Sequence, residues 1–193
     1  MTSAADMPAK AKDRLLAAAS DLFLARGIHA VGVDAVVAAS GVAKMTLYKH
    51  FGSKDALVAA CLRKASEDWR AGFERALSRV APAPASRLAA FFDVFAEWFA
   101  DPSFRGCPLL NALCELSDAA HPARPIILEH RRLMLDLLTR LAWDAGVRDH
   151  QALAKSLSLL ADGAVVAAMA EGSPEPARHA AVAARAIINA AQK

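Results

Sequence analysis

Signals for β-structure are nearly absent from this chain. A single tyrosine among 193 residues, few clusters of β-branched side chains and no alternation of apolar with polar positions exclude a core built on sheets. Cysteine is scarce as well. There are three, and Cys107 and Cys114 sit seven positions apart on one predicted helix, which separates them by about 10 Å and prevents pairing. A reduced, cytoplasmic protein fits that usage. An apolar leader is missing, because Met1–Ala11 contains Asp6, Pro8 and Lys10, which argues against export. The longest apolar run, around Leu157 to Ala170, contains Asp162 and is too short to cross a bilayer, so no membrane partner is expected. His121 and His130 lack a cysteine or carboxylate framework and are expected on helix surfaces, with no metal. No Ser-His-Asp order, nucleotide loop or paired-carboxylate pattern is present, which points away from an enzyme and from a bound cofactor.

What the chain does have is apolar content and helical period. Hydrophobic residues make up 55% and glycine and proline number nine each, values of a globular chain. Net charge is only +3, but the excess is localised: residues 1–64 carry nine Lys/Arg against five Asp/Glu, and residues 65–193 carry fourteen against fifteen. Helices are predicted over about 9–26, 33–39, 43–51, 54–79, 86–100, 108–117, 122–145, 149–171 and 175–191. Leu15, Leu16, Ala19, Leu22 and Phe23 form the inner face of the first, and Val33, Val36 and Val37 that of the second. Gly41 supplies the exit from the second, and Ser53 caps the fourth. Ala81-Pro82-Ala83-Pro84 is the best candidate for a domain break.

The run Val42-Ala43-Lys44-Met45-Thr46-Leu47-Tyr48-Lys49-His50-Phe51-Gly52-Ser53-Lys54 carries the most information. At about 100° per residue, Leu47 and Phe51 share one side, and Met45, Thr46 and Lys49 point the opposite way. So short a helix must dock its apolar edge on neighbours and offer its cationic edge to something anionic. Two short helices joined by a glycine turn match a helix-turn-helix, whose second helix enters the DNA major groove. Lysine there can bond guanine edges, and Met45 suits a thymine methyl. Lys44 lies at the flank; Tyr48, His50 and Lys54 suit phosphates, with Lys10 and Lys12 as further contacts from the leading arm. The plain alternative is a solvated surface helix, which Met45 and Tyr48 disfavour.

The segment Val33 to Leu57, with Ser40-Gly41-Val42, Thr46-Leu47-Tyr48, His50-Phe51, Ser53-Lys54 and Leu57, strongly resembles the TetR/AcrR family of bacterial transcriptional regulators. A shorter likeness runs through Gly106-Cys107, Asn111-Ala112 and Glu115. The likeness covers about 9–64, and beyond it lies in the nine-helix layout. Two positions depart from the family pattern: Gly32 and Ala43 stand where a hydroxyl residue often opens a helix. The resemblance implies an all-α protein with a helix-turn-helix domain over 1–52 and a helical ligand-binding, dimerising domain over 53–193. It implies a dimer on a palindromic DNA operator, released when a small molecule binds the body and tilts the fourth helix. A repressor is the first reading. An activator of the same fold and a helical carrier of hydrophobic ligands without DNA binding are the alternatives.

The body offers many large groups. Phe91, Phe92, Phe95, Trp98 and Phe99 form a helical stripe, and such stripes are usually plain core. With Trp69, Phe73, Leu110, Met134 and others they can line an apolar pocket, anchored by Asn111, Glu115 or Asp162. Ordinary surface or capping roles are the alternative for each anchor; a buried Asp162 would need a partner. Cys107, between Arg105-Gly106 and Pro108, sits where a helix start lowers a thiol's pKa. Relatives with a Gly-Cys pair there make it a candidate electrophile sensor, against the commoner inert thiol. The Ala-, Val- and Ile-rich helices eight and nine permit close approach, and the resemblance implies a four-helix dimer contact there, an intramolecular core being the alternative.

Overall fold

The structure, a computed structural model, describes residues 6–192, with side chains from Lys10 to Gln192. Among these residues the regular structure is helical: α1 (Asp6–Arg26), α2 (Val33–Ser40), α3 (Lys44–Phe51), α4 (Lys54–Val80), α5 (Arg87–Phe99), α6 (Pro108–Glu115), α7 (Arg124–Asp144), α8 (His150–Glu171) and α9 (Glu175–Ala191), with one 3₁₀ turn at Pro84–Ser86. The all-α expectation holds, and each predicted helix is present with ends moved by three residues or fewer. The first five residues of the head lie outside the described part.

Two compact units form, neither continuous in sequence. One comprises residues 1–67 and 108–128, the other 68–107 and 129–193. The motif ends near residue 52, but compactness groups the first half of α4, and all of α6, with the helix-turn-helix.

In the first unit α1, α2 and α3 pack on one another. Leu15, Ala19, Val36, Leu47, Leu57 and Val58 are buried together with Ile28 and Val31. The turn between α2 and α3 is a polar knot. Gly41 takes φ +61, a left-handed value that glycine adopts freely, and its N–H reaches the Val37 carbonyl at 3.0 Å. The buried Ser40 hydroxyl donates to that same carbonyl at 3.2 Å and accepts the Val42 N–H at 3.3 Å. Arg14 of α1 donates to the Ser40 carbonyl at 2.5 Å, and a Cβ on Gly41 would come within 2.7 Å of its guanidinium. Ser53 caps α4 as expected, accepting the Ala56 N–H at 3.1 Å.

The second unit is built on α5, α8 and α9, which pack on each other. Phe91, Phe92 and Phe95 are almost wholly buried, and Phe73 of α4 lies 4.9 Å from the Phe91 ring. Trp69 stacks on Phe73 at 4.7 Å. Small residues suit the packing of α8 on α9: Ala154, Ala161, Ala164 and Ala168 of α8 and Ala177, Ala180, Ala181 and Ala184 of α9 are all buried. Asp149 caps α8 through the Ala152 N–H at 3.1 Å.

Two expectations are corrected. The α8 segment is 22 residues long with mean hydropathy 1.5, so by length and composition it could span a bilayer, contrary to the reading of the run 157–170. The apolar helix extends beyond residues 157–170 at its start, but α8 buries Leu153, Leu157, Ala161 and Val165 along its inner face like a core helix. The two histidines are also more enclosed than surface positions. His130 is 8% exposed and meets Trp69 edge-on at 5.4 Å. The side chain of His121 is 11% exposed, 3.5 Å from Asp55, and its Nδ1 accepts the Ala123 N–H at 3.1 Å, closing the turn before α7. That Trp69 meets His130, and that His121 closes the turn before α7, are not visible in sequence spacing.

Burial and the neighbouring Arg131 push the His130 pKa from 6.5 down to about 4, with Asp162 opposing. A lowered histidine pKa gives stability that is full above 6.5 and is lost as pH falls towards 4. Denaturant unfolding should therefore show a loss of roughly 2–3 kcal/mol across that window from this group. The variant His130→Phe should lack that component, visible as the difference between the two pH profiles.

Candidate nucleic-acid interface

The geometry of α3 follows from its burial pattern. Leu47 is 0% exposed and Phe51 is half-buried, whereas Met45 is 78% exposed. Lys44, Tyr48 and Lys49 are exposed, and Thr46 and His50 are half-buried. The packed side thus fixes the outward side. Neither Gly32 nor Ala43 offers a side-chain cap to the helix it precedes, so backbone N–H groups remain as the donors at both helix starts.

Two of the candidate cations are already engaged. Lys44 Nζ lies 2.8 Å from Asp34, both side chains being well exposed, and that bond raises the lysine pKa. Lys54 donates to the Ile28 carbonyl at 2.7 Å and so ties α4 to the turn between α1 and α2. Lys49 is exposed on the outward side with Met45. His50 meets Phe51 edge-on, with ring centroids 6.2 Å apart. Asp34, Arg14 and His29 are polar partners that the sequence did not single out. Their contacts join residues 10, 26 and 86 positions apart, beyond any local pattern.

The body candidates divide between the units. Trp69, Phe73, Phe91, Phe95, Trp98, Met134 and Asp162 belong to the second, and Leu110, Asn111 and Glu115 to the first. Phe91 and Phe95 are interior, 5.1 Å apart; Trp98 is half-buried and packs edge-on against Phe95 and Phe104. Met134, Leu110 and Asn111 are half-buried. Asp162 has the partner it needed, Arg131 at 2.8 Å, with both side chains more than a third exposed. Glu115 is bonded to His29. Cys107 lies just before α6, half-buried, and Cys114 is exposed. The buried Cys61 thiol, its pKa pushed up to about 11 by desolvation, is unreactive by the same logic.

The comparisons with known proteins agree with this arrangement. Residues 15–61 match the family model for bacterial regulatory proteins of the tetR family, and residues 84–184 match the tetracyclin repressor-like C-terminal domain. The transcriptional activator FasR of Mycolicibacterium smegmatis is 30% identical over 152 residues, covering 78% of this chain and 67% of its own. The repressor KstR2 of the same organism is 33% identical over 85 residues, 44% of this chain and 41% of its own. A TetR-family regulator from Streptomyces coelicolor superposes with a TM-score of 0.87 at 34% identity, covering 96% of this chain and 97% of its own. One from Chloroflexus aurantiacus gives 0.82 at 26%, covering 95% and 96%. These relatives are regulators of transcription, not enzymes. With both its head and its body matched, the chain belongs to the TetR family of bacterial transcriptional regulators.

Proposed function

We propose that this regulator is a cytoplasmic repressor that binds a palindromic operator as a homodimer and leaves it when a largely apolar small molecule occupies the body. The observation carrying the DNA part is the split of α3 between a wholly buried Leu47 and a Met45 left 78% exposed. An exposed methionine contributes nothing to the core, and beside Thr46 and Lys49 it suits contact with base edges. Tyr48 and His50 suit phosphates. Lys44 and Lys54 are shared between structure and DNA. The Lys44 pair with Asp34 is exposed and therefore weak, so Lys44 can exchange that partner for phosphate.

Support for the dimer comes from the outer side of α8 and α9. Leu159 (69% exposed), Val166 (54%) and Val182 (61%) project there with Gly163 between the first two. Four and seven positions from Leu159, Gly163 and Val166 share its face of α8. An isologous contact through helices eight and nine would cover them. The effector reading rests on the aromatic side chains from α4 and α5, with Trp69, Phe73 and Trp98 foremost, backed by the interior Phe91 and Phe95. Met134 and Asp162 are the further candidates from that unit, and Leu110 and Asn111 those from α6. Ligand binding must then favour the non-binding geometry by a few kcal/mol to release DNA. The activator FasR keeps the second reading, activation by the same fold, in view. Reporter output from the regulated promoter with the gene deleted separates the two, rising for a repressor and falling for an activator.

Selection of bound duplexes from random DNA should enrich a sequence with inverted half-sites. On that duplex Lys49→Ala should cost about 1–3 kcal/mol and relax preference at one position per half-site, as read by competition binding. Unchanged affinity and preference in the combined Met45, Thr46 and Lys49 alanine variant would rule out base reading by α3. For assembly, the wild type should sediment as a dimer at micromolar concentration, and Leu159→Glu with Val166→Glu should sediment as a monomer. A dimeric double variant would remove α8 from the contact.

A further inference from the structure

The turn from α1 into α2 is held at two successive residues, Ile28 and His29, by helices distant in sequence, and Gly27 precedes them against Glu115. Gly27 takes φ +84, and a Cβ placed there would lie 3.1 Å from Glu115 Oε2. Ile28, buried, accepts a bond at its carbonyl from Lys54 Nζ of α4 at 2.7 Å. His29 donates its backbone N–H to Glu115 Oε2 at 3.1 Å, and its ring Nε2 lies 2.9 Å from the Glu115 carbonyl oxygen. Glu115 is the last residue of α6, so that ring meets the negative end of the helix. The same turn sets how α1 delivers the chain into α2, and α2 leads through the Gly41 knot into α3.

We propose that Glu115 is a positioning residue for DNA binding: it latches the end of α6 to the Gly27–His29 turn, so that the state of α6 sets how α3 is presented. A single exposed hydrogen bond would be weak. Here the carboxylate and the helix-terminal carbonyl converge on one turn, where a glycine leaves room for the carboxylate. The inference rests on the DNA-binding reading and needs no effector. By linkage, whatever duplex binding does to the turn it must also do to α6, and a change imposed on α6 must return to the head by the same amount.

The sign of one substitution separates a latch from simple electrostatics. Removing a negative charge from a DNA-binding head should by Coulomb attraction alone leave phosphate binding unchanged or stronger. Loss of a latch weakens it. With the full chain and the duplex enriched by the wild type, Glu115→Ala should bind roughly threefold to tenfold more weakly. Glu115→Gln, whose amide oxygen still accepts the His29 N–H, should stay within about twofold of the wild type. The salt slope of binding should not change, because Glu115 neutralises no phosphate. Added duplex should slow amide exchange across residues 108–115 in the wild type and in Glu115→Gln but not in Glu115→Ala, while 44–51 is protected in all three. Binding by Glu115→Ala equal to or tighter than that of Glu115→Gln, or persistence of its 108–115 protection, overturns the latch and leaves the regulator reading standing. Should Glu115→Ala lose helicity, Glu115→Met, a good helix former of similar length with no accepting oxygen, decides in its place: lost 108–115 protection supports the latch and full protection overturns it. A wild type that enriches no duplex overturns both readings.

Discussion

An eight-residue helix has too few internal hydrogen bonds to persist by itself in water, so α3 depends on Leu47 staying inside the core that α1 and α2 share. That one buried side chain orients everything else on the helix. With Leu47 inward, the 100° step between residues leaves Met45 and Lys49 outward, and Tyr48 at the flank, with no further instruction. The reading surface is therefore a by-product of packing. Around it, polar ties limit the freedom of the short connections: Arg14 and Ser40 at the turn into α3, and Lys54 and Glu115 at the turn into α2.

The second unit follows a different rule. Its interior is aromatic along α5 and rich in alanine along α8 and α9, beside Leu153, Leu157, Val165 and Ile188, so ring stacking fills one part and close helix approach serves the other. The small-residue face also explains why α8 has the length and apolarity of a membrane span without a hydrophobic surface on every side. Alanine counts as apolar in a hydropathy average, yet here it mainly permits approach between helices. Leu159, Val166 and Val182 are bulky apolar residues that stay outward.

Much of this was legible in the sequence because it is local. The 3.6-residue period placed the nine helices of the described residues, Gly41 and Ser53 marked their punctuation, and the spacing of Leu47, Phe51, Met45 and Lys49 gave the two sides of α3. The order-specific run through Thr46-Leu47-Tyr48 pointed to the family. Contacts between distant residues were not legible. Nothing near Glu115 in the chain signals that its carboxylate would meet His29; its place on α6 offers a ligand anchor or an ordinary capping or surface role. His130 looked like a surface residue because only the fold brings Trp69 across it. Asp162 looked like a buried charge because the run around it is apolar, whereas Arg131 and partial exposure satisfy it.

The central claim, that the outward side of α3 lies against base edges, is tested most directly by placing a photo-crosslinking amino acid at position 45 and mapping its adducts on the enriched duplex. The account predicts adducts on bases at one defined position in each half-site, with none from the same probe at position 166 on α8. Adducts confined to the sugar-phosphate backbone, or equal yields from both positions, would contradict it.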